Sequence, residues 1–327
     1  MKILNLGSLN IDKTYSVKRF VQPKETIQAL DYEEFCGGKG LNQSVALARA
    51  GAEVYHAGAV GGDGRILLDM LKEAGADTGY VETLDGASGH AVIQIDESGQ
   101  NNIIICGGTN RKITREYISS VLEHFGKGDL ILLQNEISNI DFAMEEAKKR
   151  GLQVAFNPSP ADEGVFLCNL ELVDYFILNE VEGRILAGTD SEEPAPILRA
   201  LREKYKNAAF VLTLGDQGAW YCDPEETSFQ DIFQVEAVDT TAAGDTFCGY
   251  FIAGIAGGLG HKQALLQASA AAALAVTKKG AAPSGSVHWG TRVGYGRKIW
   301  KRDHLSLTVT QEPTTPSPFW QPLALMP

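Results

Sequence analysis

Short apolar runs recur along the chain, separated by stretches with helical spacing. Ile3–Leu6, Val54–Ala59, Leu130–Gln134, Gln153–Phe156, Tyr175–Leu178, Ala209–Leu214 and Ala219–Cys222 read as strands. Helices are predicted from Leu41 to Ala50, Arg65 to Ala74, Ile140 to Arg150 and Glu180 to Leu186, then from Pro196 to Tyr205, Asp245 to Ala256 and Lys262 to Thr277. Gly51 stops the first helix, and Gly280, after the basic pair Lys278 and Lys279, stops the last. Strands that alternate with helices predict a mainly parallel sheet covered on both faces. Two excursions break the rhythm. Tyr15–Phe35 is mixed, with a turn at Pro23-Lys24-Glu25, and His90–Ile95 and Asn102–Cys106 flank a Gly-containing turn as a hairpin would. Together they predict a small β-sheet lid from about 12–35 and 90–107. The regular pattern closes at Ser284.

Polar positions then cluster after strands, at Asn10, Glu136, Asn157, Asn179 and Gly215. In an open α/β sheet these carboxyl ends share one edge, where ligands bind. Asn10 and Asp12 lie two residues apart, so an extended chain points both the same way and suits them to hold two hydroxyls. An Asx-turn between strands explains them equally well. Gly37-Gly38-Lys39-Gly40-Leu41-Asn42-Gln43 is a glycine-rich turn into a helix, an anion or polyol site. It is not a Walker A loop, because Gly40 follows Lys39. Gly58–Gly64 lacks the G-x-G-x-x-G spacing of a dinucleotide site and reads as a tight turn. Val238–Phe247 is a small-residue turn that opens a helix with Asp245 in its first turn. The first N–H groups of a helix lack internal partners and carry partial positive charge. Such a turn can cradle a phosphate, and a carboxylate beside it can take a proton from a hydroxyl. An ordinary helix start with an acidic first turn fits these ten residues as well.

Composition narrows the classes. A hydrophobic content of 44% and a charged content of 21% over 327 residues allow a full core. The formal net charge of −12 argues against a nucleic-acid partner. Five scattered cysteines without Cys-x-x-Cys predict a reducing compartment and no structural zinc. With neither a leader pattern nor a membrane-spanning apolar run, a soluble cytoplasmic protein is expected. Residues 285–327 differ. They hold three of the four tryptophans and five of the twelve prolines, and they predict an atypical, poorly ordered tail.

Gly37–Gln43 and Asp239–Phe247, in this order and at this separation, resemble the two signatures of the ribokinase-like (PfkB) carbohydrate kinases. The likeness runs from about residue 1 to Ser284. It implies a three-layer α/β/α domain with a β-lid that joins two copies, and transfer of phosphate from ATP to the 5-hydroxyl of D-ribose. Asp245 then matches the base, and the backbone N–H groups of Ala242, Ala243 and Gly244 match an anion hole. Asn10, Asp12, Gly38, Lys39, Asn42, Glu136 and Asp245 match sugar-binding positions. Asn179, Glu182, Thr213, Gly215, Gly218, Gly244 and Ser269 match nucleotide positions, with Mg²⁺ arriving on ATP. Asp239, Thr241, Ala275, Lys278, Gly280 and Ser284 match a K⁺ site that braces the anion-hole loop. Lys39 is the one cation among the sugar positions, which speaks for an unphosphorylated substrate. Three features depart from the family: Lys24 where relatives often carry Gly, Ser269 where they often carry His or Asn, and no recognisable helix after Ser284. A kinase for another sugar or a nucleoside, and an inactive sugar-binding regulator, remain alternatives.

Overall fold

The structure is a computed structural model that describes residues 1–278 in full and, beyond them, the backbone of 297–302 and 305–310. In chain order the strands are β1 (Ile3–Leu6), β2 (Asn10–Ser16), β3 (Asp31–Gly37), β4 (Val54–Val60), β5 (Asp77–Thr83), β6 (Gly89–Ile95), β7 (Asn101–Cys106), β8 (Leu130–Gln134), β9 (Gln153–Asn157), β10 (Tyr175–Asn179), β11 (Ala209–Thr213), β12 (Ala219–Cys222) and β13 (Thr227–Gln230). The helices are α1 (Lys39–Arg49), α2 (Arg65–Ala74), α3 (Arg115–Leu122), α4 (Ile140–Lys149), α5 (Glu180–Ala187), α6 (Pro194–Lys204), α7 (Ala243–Ala256) and α8 (His261–Ala275).

The main sheet has nine strands in the order β13-β12-β11-β10-β9-β8-β1-β4-β5. It is parallel except where β12 and β13 return antiparallel. All five residues of β8 are buried, as expected of a parallel strand covered on both faces. Ile131 and Leu133 pack into one layer with Ile118 of α3 and Met144 of α4. Leu130 and Leu132, equally buried, point by alternation to the layer that holds α1. In that second layer α7 lies on α1 and α8 lies on α7. A Cβ at Gly249 would stand 2.4 Å from Ala46 Cβ and 3.0 Å from the Gln43 carbonyl oxygen, so the glycine sets how near α7 comes to α1. The mainly parallel, doubly covered sheet is the fold class the sequence predicts.

The second sheet has the order β3-β2-β6-β7. It joins the body at one row, where Asn10 pairs with Gly37 on one side and Gly89 on the other. The chain is already extended at Asn10 and Asp12, which decides against the Asx-turn. β3 was hard to read because Asp31–Glu34 are all exposed, so no apolar alternation marks the strand. Lys24, in the loop between β2 and β3, holds φ at +67°, a region glycine enters more easily.

Within residues 1–284 the sequence pattern does not predict α3, the edge strand β5 or the half-exposed β13. The Thr114 side chain caps α3 by accepting the Tyr117 N–H at 3.1 Å.

By its contacts the chain divides into two units, Met1–Ser284 and Gly285–Pro327. In the second, β14 (Arg297–Arg302) and β15 (Leu305–Thr310) form an antiparallel pair. The rest of the expected tail over 285–327 lies outside the described residues. Among the described residues no helix is long and apolar enough to cross a membrane.

Candidate active site

The site assembles where β1 hands over to β2, at the start of α1. Gly38 takes φ +90° and turns the chain from β3 into the helix. A Cβ on Gly40 would stand 2.4 Å from the Ser8 nitrogen and 2.5 Å from the Gly7 carbonyl carbon, so the first turn of α1 is pressed onto the end of β1. Ser8, fully buried, donates from Oγ to Glu136 Oε2 and accepts the Gly40 N–H at 3.2 Å. The Lys39 N–H donates to the same Glu136 oxygen at 3.0 Å. Asn110 Nδ2 donates to Asn10 Oδ1 at 2.8 Å, while Asn110 Oδ1 accepts the Leu9 N–H at 3.1 Å. Asn110 therefore fixes which way the Asn10 amide faces.

Asp245, in the first turn of α7, is 7% exposed. Its two oxygens are held by consecutive residues of α1. Asn42 Nδ2 donates to Oδ2 at 3.1 Å, and Gln43 Nε2 donates to Oδ1 at 2.9 Å. Asn42 Oδ1 is buried and has no partner, so it is an acceptor aimed at something the protein does not supply. The field of Asp245, with those of Glu136 and Glu182 behind it, raises the Lys39 ammonium above its ordinary pKa against the opposing effect of burial. Lys39 is thus the local countercharge to these carboxylates. Burial, and then the charge of Glu136, push the Asp12 carboxyl up to about 6. Of the seven sugar positions expected from the sequence, Asp12, Lys39, Asn42, Glu136 and Asp245 are thus linked by contacts or fields, while Gly38 turns the chain into α1 and Asn10 is held by Asn110.

The loop before Asp245 is strained. Ala242 sits in the left-handed region at φ +59°. The Ala243 N–H closes a turn onto the Thr240 carbonyl at 3.2 Å, so as folded here it points into the loop. A Cβ on exposed Gly244 would meet nothing within 4 Å, which leaves open space over the start of the helix. The Thr241 N–H donates to Asp239 Oδ1 at 2.9 Å. The N–H groups of Val238 and Asp239 donate to the Val276 carbonyl, which brings Asp239 and Thr241 to the end of α8 with Ala275 and Lys278. Gly280 and Ser284 lie outside the described residues.

On the other side, Asn179 and Glu182 form a capping box at the start of α5. Both Glu182 oxygens take a donor from Asn179, each at 3.0 Å, and Glu182 is 5% exposed. Thr213 pairs beside Asn179, and its Oγ1 donates to the Leu178 carbonyl. Gly215 and Gly218 shape the following turn with φ of +56° and +95°. Ser269 lies buried within α8, which packs on β12 and β13.

Sequence reasoning placed Asn157 at the ligand edge but missed Ser8, Gln43, Asn110, Asn5 and Gln134 as parts of the site. Gln43 lay inside the glycine-rich motif. Asn5, Ser8 and Gln134 offered only a polar residue interrupting or following an apolar run, and Asn110 only a polar residue in a polar turn.

The model of the pfkB family carbohydrate kinases matches residues 1–287. The chain is 34% identical over 288 residues to the ribokinase of Haemophilus influenzae, covering 85% of this chain and 93% of that protein. It is 32% identical over 289 residues to a deoxyribokinase of Salmonella typhi, covering 86% and 94%. The structure of Arabidopsis thaliana ribokinase complexed with ribose and ATP superposes with a TM-score of 0.76 at 30% identity, covering 86% and 94%. The matched model, these relatives and the buried carboxylate at the start of α7 agree, and the chain belongs to the pfkB family of carbohydrate kinases.

Proposed function

We propose that this chain transfers the γ-phosphate of ATP to the 5-hydroxyl of D-ribose in the cytoplasm, yielding ribose 5-phosphate and ADP. The observation that carries the reading is the clamped carboxylate. Asp245 is fixed by two amides beside Asn42 Oδ1, a buried acceptor with no partner, as a hydroxyl substrate requires. Asn10, Asp12, Lys39, Asn42 and Glu136 hold the other hydroxyls. The sugar oxygen attacks phosphorus in line, the bond from phosphorus to the ADP oxygen breaks, and the hydroxyl proton passes to Asp245. The backbone N–H groups of the Ala242–Gly244 segment face the charge on the transferred phosphoryl group. The turn at Thr240–Ala243 opens so that the Ala243 N–H can join them.

Asn179, Glu182, Thr213, Gly215, Gly218 and Ser269 carry the nucleotide. Mg²⁺ arrives on the phosphates of ATP, with Glu182, its oxygens already engaged by Asn179, acting at one remove. When bound, the ion neutralises phosphate charge. Asp239, Thr241, Ala275 and Lys278, with Gly280 and Ser284, supply oxygen donors suited to K⁺, which would brace the strained Ala242 loop. Two copies pair through their lids, because the edge strand β7 exposes Ile103, Ile104 and Ile105 by 49%, 63% and 64%.

A panel of sugars and nucleosides with Mg·ATP, read by ADP release with and without K⁺, tests this reading. D-ribose is expected to turn over best, K⁺ to accelerate it, and the active species to sediment as two chains. Preference for 2-deoxyribose or a nucleoside would move the substrate assignment. Binding of sugar without any ADP release would make the chain a sugar-binding regulator.

Sugar affinity should also depend on pH. A hydroxyl donates to the ionised form of Asp12, whose pKa is raised to about 6. Affinity should therefore fall by roughly tenfold from pH 7 to pH 5. Without sugar the sign is opposite for stability: the raised pKa stabilises the fold at low pH, and that contribution is lost as pH rises from about 4 to about 6. Calorimetric titration of the sugar at both pH values checks the first point. Asp12→Asn should flatten the profile, and an unchanged slope would remove Asp12 as its source.

A further inference from the structure

We propose that Gln43 is a positioning residue for Asp245, the junction through which a buried chain of amides sets where the carboxylate points. This rests on the reading of Asp245 as the base. Gln43 is fully buried and takes no part in the sugar contacts assigned above. Its Nε2 donates to Asp245 Oδ1 at 2.9 Å and to Asn157 Oδ1 at 3.0 Å. Its Oε1 accepts from Gln134 Nε2 at 2.8 Å. The same Gln134 nitrogen donates to Asn5 Oδ1 at 2.9 Å, and Asn5 Nδ2 donates to the Gly40 carbonyl at 2.8 Å and to Ser44 Oγ at 2.7 Å. Beyond Ser44, its Oγ meets His56 Nδ1 at 2.7 Å; burial pushes that imidazole down to about 3, so it is neutral. Asn157 Nδ2 donates to the Ile177 carbonyl at 2.9 Å, next to the last paired residues of β9 and β10, so its side chain bridges the strands where their ladder stops.

The order of donors leaves Gln43 one orientation. If its amide turned end for end, Oε1 would face two acceptors, Asp245 and Asn157, and Nε2 would face the Gln134 nitrogen. The chain is uncharged apart from Asp245 and is anchored on β1, β8, β9 and β10. Gln134 Oε1 and His56 Nε2 are buried without a partner, but both polar atoms of Gln43 are paired, and a group satisfied in this way inside a buried network is held rigidly. Here that rigidity ends on the one carboxylate whose direction governs proton transfer. Gln43 thus acts on the reaction through Asp245 and not through the sugar.

Gln43→Met keeps the length and apolar bulk of the side chain and removes the donor. It is expected to lower kcat by about 10–100-fold, while the KM for sugar stays within about threefold. Asn157→Ala leaves Gln43 in place and removes its anchor, together with the donor to the Ile177 carbonyl, and is expected to lower kcat by about 3–10-fold. The double variant should be no slower than Gln43→Met, because both act along one path. A folded Gln43→Met with kcat within about threefold of the unaltered protein would overturn the proposal, as would losses that simply multiply in the double variant. If Gln43→Met does not fold, Asn157→Ala decides alone: a loss confined to kcat supports the proposal and an unchanged kcat overturns it. Asp245→Asn, run alongside, separates the two readings. Full turnover there sinks the base assignment, whereas lost turnover there with a normal Gln43→Met sinks only the positioning role.

Discussion

Asp245→Asn is expected to lower kcat by roughly 10²–10⁴-fold while sugar binding is largely kept. The substitution keeps the shape of the side chain and removes its capacity to accept the hydroxyl proton. It also changes the clamp. Asn42 Nδ2 and Gln43 Nε2 both donate to the carboxylate, and an asparagine offers one oxygen and one nitrogen to these two donors. One donor is left facing another, which costs about 1–3 kcal/mol at a buried site. The melting temperature should therefore fall modestly even as turnover collapses. Measuring ADP release together with calorimetric sugar binding separates the two effects. Turnover within tenfold of the unaltered protein, at unchanged sugar affinity, would remove Asp245 as the base.

Gly40→Ala should have the second largest effect. On helix propensity alone alanine would gain about 1 kcal/mol over glycine. The close approach of α1 to β1 outweighs this. The added Cβ would stand 2.4 Å from the Ser8 nitrogen, 2.5 Å from the Gly7 carbonyl carbon and 2.6 Å from the Ser8 carbonyl oxygen. All three are backbone atoms of a strand end and cannot turn aside as a flexible side chain would. Overpacking of this kind costs about 3 kcal/mol, so a net loss near 2 kcal/mol and a fall in melting temperature of roughly 4–8 °C are expected. The catalytic consequence is larger. Relief of the overlap pushes the start of α1 outward and moves Lys39, Asn42 and Gln43 away from Glu136 and Asp245 together. A displacement of about 1 Å is enough to cost around 10²-fold in kcat/KM. A Gly40→Ala protein with unaltered melting and unaltered kcat/KM would show that α1 is not seated against β1 as described.

The sequence carried the body of the fold well because its central strands are buried on both faces. β8, β9, β10 and β11 appear as unbroken apolar runs, and each is followed by a polar residue at the ligand edge. β3 and β5 were obscure for the opposite reason: their side chains are largely exposed, and a strand without a buried face leaves no period-two signal. The lid was legible as a departure from the main rhythm, not as four paired strands.

At the site, the glycine-rich turn and the small-residue turn pointed to Lys39, Asn42 and Asp245 because both are local. What joins them is not local. Asn42 and Gln43 reach Asp245 across more than 200 positions, at separations of 203 and 202 residues. Asn5, His56 and Gln134 interrupt apolar strands, where a polar residue looks like a defect until its partners are known. Ser8 was equally silent, since a serine after a strand signals a turn as readily as a buried donor to Glu136.

The most direct measurement is the structure of the product. The protein is incubated with D-ribose, Mg·ATP and K⁺, and the mixture is resolved by phosphorus NMR with coupling to carbon-bound protons. The expected result is ADP and one phosphosugar in equal amounts, its phosphorus coupled to the C5 protons of ribose. Phosphate on another oxygen, or ATP left intact in the presence of ribose, would contradict the assignment of this site as a ribose 5-hydroxyl kinase.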